Sequence, residues 1–269
     1  METQISIIGC GWLGLPLAKT LISHGYKVKG STTSKDKLNL LAQVGVDGFL
    51  IRLDSEGLTG NYTEFLSGSD IVIINVPPGL RKDPSKNHVA ELQHFILAIE
   101  AQNIPNVLYV SSTSVFKDDP HFPIIDRNTR PNGISNSAKQ LIAIENMLQD
   151  HKSFNTTIIR FGGLFDAQRH PAHYLSGRQH ISNPEAPINL IHKNDCMAII
   201  ASVVKNDLWN LSLNAVFPQH PSKKEYYSAY CKTHDLELPT FNLSEKSIGK
   251  IIDSSELERL LNYNFEHGL

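Results

Sequence analysis

Short apolar runs rich in β-branched residues alternate with segments of helical period through the first 160 residues of the chain. The runs are Ile5 to Ile8, Tyr26 to Lys29, Phe49 to Leu53, Ile71 to Val76, Val107 to Ser111 and Thr156 to Arg160. Between them, helical patterns start at about Trp12 and about Lys35, run from about Pro84 to Ala101, and include the segment that carries Lys139. The apolar runs show no in/out alternation, which is the mark of strands covered on both faces. The pattern predicts a parallel sheet wrapped by helices, a doubly wound α/β architecture.

After Arg160 the rhythm loosens into a stretch bearing His, Pro and Gly through Pro187. It then resumes as a strand at Ile188 to Ile191, a helix from about Asn194, a strand near Leu211 to Ala215 and a helix from about Ser222. Ser255-Glu256-Leu257-Glu258 has the spacing of a capping box and predicts the start of the last helix. This half reads as a smaller lobe over 161–269, appended to a first domain over 1–160. No Gly/Ser/Pro-rich linker separates them and no internal repeat is visible, so a shared core is expected.

Gly9-Cys10-Gly11-Trp12-Leu13-Gly14 is a G-x-G-x-x-G directly after the first predicted strand and opening the first predicted helix. In that context Gly9 makes the turn, Gly11 lets the backbone approach a pyrophosphate, and Gly14 packs helix on strand. The amides of Trp12, Leu13 and Gly14 then face the phosphates. A dinucleotide-binding Rossmann domain is the expectation; the competing reading is a tight turn with no ligand.

NAD-selective sites carry an acid at the end of the second strand, about 20 residues past the glycines. Here that strand ends in Gly30-Ser31-Thr32-Thr33-Ser34-Lys35. Hydroxyls and a cation at Thr32, Thr33, Ser34 and Lys35 suit a 2′-phosphate, which an acid would repel. NADP is therefore expected, with NAD as the alternative, while Thr33 or Ser34 could also cap the next helix. Asp54 reads either as an acceptor for the adenine amino group or as a turn residue. Asn75-Val76-Pro77 ends the fourth strand where the crevice above the sheet should lie.

Of the 269 residues, 41% are hydrophobic and 19% charged, with a formal net charge of -2 and no Lys/Arg run longer than two. That removes the basic footprint nucleic acid or an anionic membrane requires. No apolar run approaches the roughly 20 residues that span a bilayer, and no basic leader precedes an apolar stretch at the N-terminus. Three widely separated cysteines form no CxxC pair, which fits a reducing cytoplasm. The expected partner is a small-molecule substrate, on a monomer or homodimer.

The order of glycine loop, Ser111-Ser112-Thr113-Ser114-Val115-Phe116 and a helix with Lys139 resembles the extended short-chain dehydrogenases/reductases, the group of nucleotide-sugar epimerases and dehydratases. Gly11-Trp12-Leu13-Gly14, Asn136-Ser137, Arg169-His170-Pro171, Asn189-Leu190-Ile191-His192 and Lys250-Ile251-Ile252-Asp253 are similar to its YeeZ-like atypical members. The resemblance runs nearly end to end. It implies that Lys139 holds the nicotinamide ribose and that Ser112, or Thr113 beside it, orients a substrate oxygen. The general acid/base tyrosine of the family falls on Ser135.

An aliphatic hydroxyl is a far weaker acid than a phenol of pKa ≈ 10 and has a shorter reach. Three answers stay open. Ser135 could start the helix while another group, such as Tyr174, His170 or His173, supplies the proton. Lys139 could act as the acid if desolvated. The site could also bind cofactor without redox chemistry.

Arg169, His170, Tyr174 and Arg178 gather where extended members place substrate contacts, and the arginines could clamp an anionic group. His170 and His173 are three apart with no third ligand at fitting spacing, so no metal is expected. His192 reads as a packed structural histidine, Asn194 or Asp195 as a helix cap, and Asp253 and Ser254 as fold determinants. No nucleophile elbow with a Ser-Asp-His order appears, which disfavours a hydrolase. The leading expectation is an NADP-dependent oxidoreductase or epimerase/dehydratase-like enzyme on a small hydroxyl or carbonyl compound. The alternative is a nicotinamide-binding sensor or regulator with a degenerate site.

Overall fold

A computed structural model describes residues 2–269 of the chain. The first strand, β1 (Gln4–Ile8), runs into α1 (Gly14–Ser23), and β2 (Lys27–Thr32) follows. A 3-10 turn at Lys35–Lys37 leads into α2 (Leu38–Gln43) and then β3 (Asp47–Leu50). The expected single strand from Phe49 to Leu53 is broken at this point. Ile51 is buried and its amide donates to the Thr32 carbonyl at 3.0 Å, after which β4 (Arg52–Asp54) and β5 (Gly57–Thr59) fold into an antiparallel hairpin.

The chain continues through α3 (Tyr62–Leu66), β6 (Ile71–Ile74), α4 (His88–Ala101) and β7 (Asn106–Ser112). The helix expected from about Pro84 starts at His88 because Asn87 caps it, its side-chain oxygen accepting the Ala90 amide at 3.0 Å. Then come β8 (Ile124–Ile125), α5 (Asn136–Gln149), β9 (Asn155–Phe161), β10 (Gly163–Phe165) and α6 (Pro171–Leu175). The remainder is β11 (Leu190–His192), α7 (Lys193–Lys205), β12 (Ser212–Ala215), α8 (Lys223–Thr233), β13 (Ile251–Ile252) and α9 (Ser255–Leu261).

Seven strands make one parallel sheet in the order β12-β9-β7-β6-β1-β2-β3. Ile5 of β1 stands opposite Val28 of β2 on one side and Ile71 of β6 on the other. From β1 the chain winds outward in one direction through β2 and β3, then returns and winds the other way through β6 and β7. The order therefore reverses between β1 and β6, and the crevice of a doubly wound sheet opens beyond the carboxyl ends of those strands. All four residues of β6 and the last four of β1 are buried, as strands with helices on both faces require.

Two compact units divide the chain. One comprises the stretch ending at Ser112, Ser135–Arg160 and Met197–Ser212; the other comprises Thr113–Ile134, Phe161–Cys196 and Leu213–Leu269. Each is thus assembled from three stretches, where the sequence suggested one boundary between 160 and 161. Within the second unit β10 pairs with β11 and β8 with β13, both parallel. Phe165, Ala172, Ile188, Leu190, Tyr227 and Cys231 form one of its apolar clusters.

A capping box forms at α8, where Ser222 accepts the Glu225 amide and the Glu225 carboxylate accepts the Ser222 amide. The box expected at Ser255 to Glu258 does not form. Ser254 holds the cap position of α9, its hydroxyl accepts the Val216 amide at 2.9 Å, and Ser255 turns to Asp253. Cys10, Cys196 and Cys231 are all free and buried, and burial raises each thiol above its ordinary pKa. No helix among the described residues is long and apolar enough to cross a membrane.

Candidate cofactor site

The glycine loop joins β1 to α1 at the reversal point of the sheet. Gly9 has φ +102°, and a Cβ there would run into the Asn75 carbonyl; a Cβ at Gly14 would run into the Gly9 carbonyl. Both positions are closed to any side chain. Gly11 is different: it is exposed, and a Cβ there would meet nothing within 4 Å. Gly11 also lines the cleft beside the loop.

Three contacts hold the loop. The Gly9 amide donates to the Ser31 hydroxyl at 2.9 Å, the Cys10 amide to the Ser31 carbonyl at 2.8 Å, and the Asn75 side chain to the Gly9 carbonyl at 3.0 Å. Leu13 occupies the cap position of α1 without a capping side chain, and the first turn carries no acid. The ten-residue helix begins there with no side-chain cap and no acid, while the Leu15 amide donates to the Gly11 carbonyl at 3.1 Å and Pro16 carries no amide; the positive end of the helix dipole is thus left without a negative side chain, which favours an anion.

Beside the loop lies a cleft of about 280 Å³. Trp12, Leu15, Leu40 and Leu41 form its apolar wall, and Gly11, Cys10 and Lys37 complete the lining. Lys37 has no sequence signal; the fold alone brings it to the cleft with Leu40 and Leu41. Burial pushes the Cys10 thiol up to about 12, so it stays protonated and is no nucleophile.

At the end of β2, Thr32 is buried and its hydroxyl accepts the Ser34 amide at 3.2 Å. Ser34 stands at the cap position of the 3-10 turn, but its own side chain makes no capping bond. Thr33 and Lys35 are exposed. Asp54 closes the β4–β5 turn, its Oδ1 accepting the Glu56 amide at 3.3 Å, as the turn reading expects. Val76 is half-buried and Pro77 exposed just past β6.

Ser112, the last residue of β7, is half-buried, whereas Ser111 beside it points the other way and donates to Glu145 at 2.6 Å. Glu145 is 1% exposed and takes a bidentate bond from Arg160, with Arg160 Nη2 at 2.7 Å and Nε at 3.1 Å. That pair fixes α5 against β7 and β9. Burial, with Glu145 as a second cause, raises the Tyr109 phenol, whose hydroxyl has no hydrogen-bond partner among the described residues.

Ser135 is the N-cap of α5, its hydroxyl accepting the Ala138 amide at 3.1 Å. Lys139 lies on the exposed face of the first turn. A lysine acid requires desolvation, which the protein's own side chains do not give Lys139 here.

In the second unit Thr113 is buried, while Arg169, Tyr174 and Arg178 are exposed on and around α6. His170 departs from the substrate-contact expectation. It is 2% exposed, caps α6 by accepting the Ala172 amide on Nδ1, and its Nε2 lies 2.8 Å from the Tyr226 hydroxyl. Its ring stacks on Tyr230 at 3.7 Å. Both nitrogens are used internally, because the tautomer that accepts on Nδ1 must donate from Nε2.

Burial, reinforced by His173 and His234, pushes the His170 pKa down to about 4. The unfolded chain, with an ordinary histidine near 6.5, binds that proton first. Stability is therefore complete above about pH 6.5 and is expected to fall as pH drops toward 4. Urea midpoints at pH 7 and pH 5 would check this: His170→Asn should show a shallower decline than the wild type, and an identical decline would assign the effect elsewhere.

His192, Asp195 and His267 bring ligand-type atoms within 4.8 Å of one another. Yet the two rings are stacked, with centroids 4.4 Å apart and planes within 12°, so their lone pairs do not converge on one point. Asp195 also departs from the helix-cap expectation. Its carboxylate is buried and accepts the Tyr263 hydroxyl at 2.6 Å and the Glu266 amide at 3.0 Å, which anchors the segment after α9. The Asn194 amide is met instead by His192 Nδ1 at 3.2 Å.

Residues 4–98 match the family model described as the NAD binding domain of 6-phosphogluconate dehydrogenase. Protein YeeZ of Escherichia coli (strain K12) is 27% identical over 266 residues, 98% of this chain and 96% of that protein. Among solved structures, MoeE5 in complex with UDP-glucose and NAD superposes with a TM-score of 0.80 at 17% identity, covering 99% of this chain and 94% of that one. UDP-N-acetylglucosamine 4-epimerase from Bacillus cereus gives 0.78 at 16%, covering 99% and 92%. The chain is similar to YeeZ along nearly its whole length and shares its fold with these two solved structures.

Proposed function

We propose that the first unit binds NADP and that the chain is a short-chain-type oxidoreductase or epimerase/dehydratase-like enzyme acting on a small hydroxyl or carbonyl compound, nucleotide-linked ones included, in the cytoplasm. The observation that carries this reading is the uncapped start of α1 behind an unobstructed Gly11, next to a cleft lined by Lys37 and no carboxylate. Bound NADP supplies a hydride donor or acceptor. The α1 amides hold its diphosphate, and Thr33, Ser34, Lys35 and Lys37 hold the 2′-phosphate. Asn75, Val76 and Pro77 border the crevice, Lys139 holds the nicotinamide ribose, and Ser112 orients the substrate oxygen. On the second unit, Arg169, Arg178 and Tyr174 are the exposed groups suited to an anionic substrate.

Calorimetric titration tests the cofactor choice. Lys35→Ala and Lys37→Ala are each expected to weaken NADP about tenfold, the loss of about 1.4 kcal/mol of charge-assisted bonding, and to leave NAD within about twofold. Equal losses for both cofactors would contradict the 2′-phosphate role.

The capping role of Ser135 favours a second reading, an NADP-binding sensor or regulator, since a hydroxyl bonded to the Ala138 amide is not placed to deliver a proton. The two separate in a turnover assay over sugar nucleotides, aldehydes and ketones. Hydride exchange supports the enzyme, and binding without exchange supports the sensor. A chain that binds neither dinucleotide is neither.

A further inference from the structure

The segment leaving β6 is fastened at both ends within the first unit. At its start, Asn75 Nδ2 donates to the Gly9 carbonyl of the glycine loop at 3.0 Å. At its far end, α5 takes hold. Gln140 Oε1 accepts the His88 amide at 2.7 Å, Gln140 Nε2 donates to the Lys86 carbonyl at 3.0 Å, and Asn136 Nδ2 donates to the Pro84 carbonyl at 3.2 Å. Asn136 Oδ1 also accepts from Gln140 Nε2 at 3.3 Å. The amide orientation of Gln140 follows from its partners, because a backbone N–H faces one end and a backbone carbonyl the other.

Beneath these bonds the segment has its own rigid base. His88 is fully buried with Nδ1 2.9 Å from Glu91 Oε2, and Lys86 Nζ reaches the same oxygen at 3.0 Å. These three hydrogen bonds from α5 all go to main-chain groups of residues 84–88, so they fix the path of the chain, not merely a side-chain conformation. Gln140 directly follows Lys139 in sequence.

We infer that residues 75–88 form a strap that sets the spacing between the glycine loop and Lys139, with Gln140 as the positioning residue that ties the helix of Lys139 to it. This rests on the cofactor reading above. A dinucleotide gripped at its diphosphate and again at a ribose needs those two grips at one separation, and a shift of about 1 Å loses much of the benefit of the second. Asn75 registers the strap against the first grip, and Gln140 registers it against the second. A latch that only stabilises the fold would lower the melting temperature and leave the contribution of Lys139 to binding unchanged.

A double-mutant cycle on the full chain distinguishes the two. NADP affinity is measured by calorimetry for the wild type, Lys139→Ala, Gln140→Leu and the double variant. Lys139→Ala is expected to cost about tenfold in the wild-type background and less than threefold where Gln140→Leu has released the strap. The same tenfold cost in both backgrounds overturns the inference. Should Gln140→Leu fail to fold, Asn136→Ala supplies the cycle, since its side chain is exposed, with the same sign of coupling and the same overturning result. Gln140→Glu keeps the acceptor for His88 and loses the donor to Lys86, and is expected to restore part of the coupling. A wild type that binds neither dinucleotide overturns the cofactor reading and the strap with it, whereas an additive cycle with binding intact overturns the strap alone.

Discussion

Gly11→Ala is expected to melt with the wild type and to bind NADP at least about 100-fold more weakly, whereas Gly9→Ala is expected to lose stability outright. The two glycines lie two residues apart in one loop but face opposite constraints. At Gly11 an added methyl group meets no protein atom within 4 Å, so the fold has nothing to object to. The methyl would occupy the space a pyrophosphate needs, and a hundredfold loss corresponds to about 2.7 kcal/mol. At Gly9 the left-handed backbone and the collision with the Asn75 carbonyl act together. Such a strained, overpacked site costs about 3 kcal/mol or more, which at this chain length lowers the melting temperature by roughly 6–12 °C. Thermal melts and calorimetric titrations read both. A Gly11→Ala variant with wild-type affinity would remove the phosphate contact from the loop.

Glu145→Ala is expected to cost about 3–5 kcal/mol, because it leaves the Arg160 guanidinium buried without its carboxylate. The pair is almost wholly sealed, with side chains 4% and 1% exposed. Replacing both partners, as Glu145→Leu with Arg160→Met, should cost less than the single variant, since no charge is then stranded. The urea-unfolding free energy of the three proteins checks this. A single-variant loss under about 1 kcal/mol would mean that α5 is held to β7 and β9 by apolar packing alone. Because α5 also carries Lys139, an Glu145→Ala protein that still folds is expected to bind cofactor more weakly as well.

What could be read from the sequence divides by the range of the interaction. Gly9, Gly11 and Gly14 were legible because their requirement is backbone geometry within six residues, and the capping serine at Ser135 because its partner is three residues on. The capping box was misplaced for the same reason it was sought. Ser254 and Ser255 both precede a suitable glutamate-rich turn, and the choice between them is made by Val216, distant in sequence. His170 looked like a substrate contact because its loop position is right, but Tyr226 and Tyr230, more than fifty residues away, take its ring out of reach. Asp195 was claimed by Tyr263 and Glu266 in the same way. Lys37 and Gln140 carry no motif at all; only the packing of α2 beside the glycine loop, and of α5 beside the β6 exit, gives them meaning.

The three sequestered thiols have a practical consequence. With Cys10 in the glycine loop, Cys196 in α7 and Cys231 in α8, each protonated and buried, alkylating reagents gain access through opening of the surrounding structure. Modification rates at the three positions thereby become independent clocks, one timing excursions of the dinucleotide loop and two timing excursions of the other helices, without any label having to be introduced.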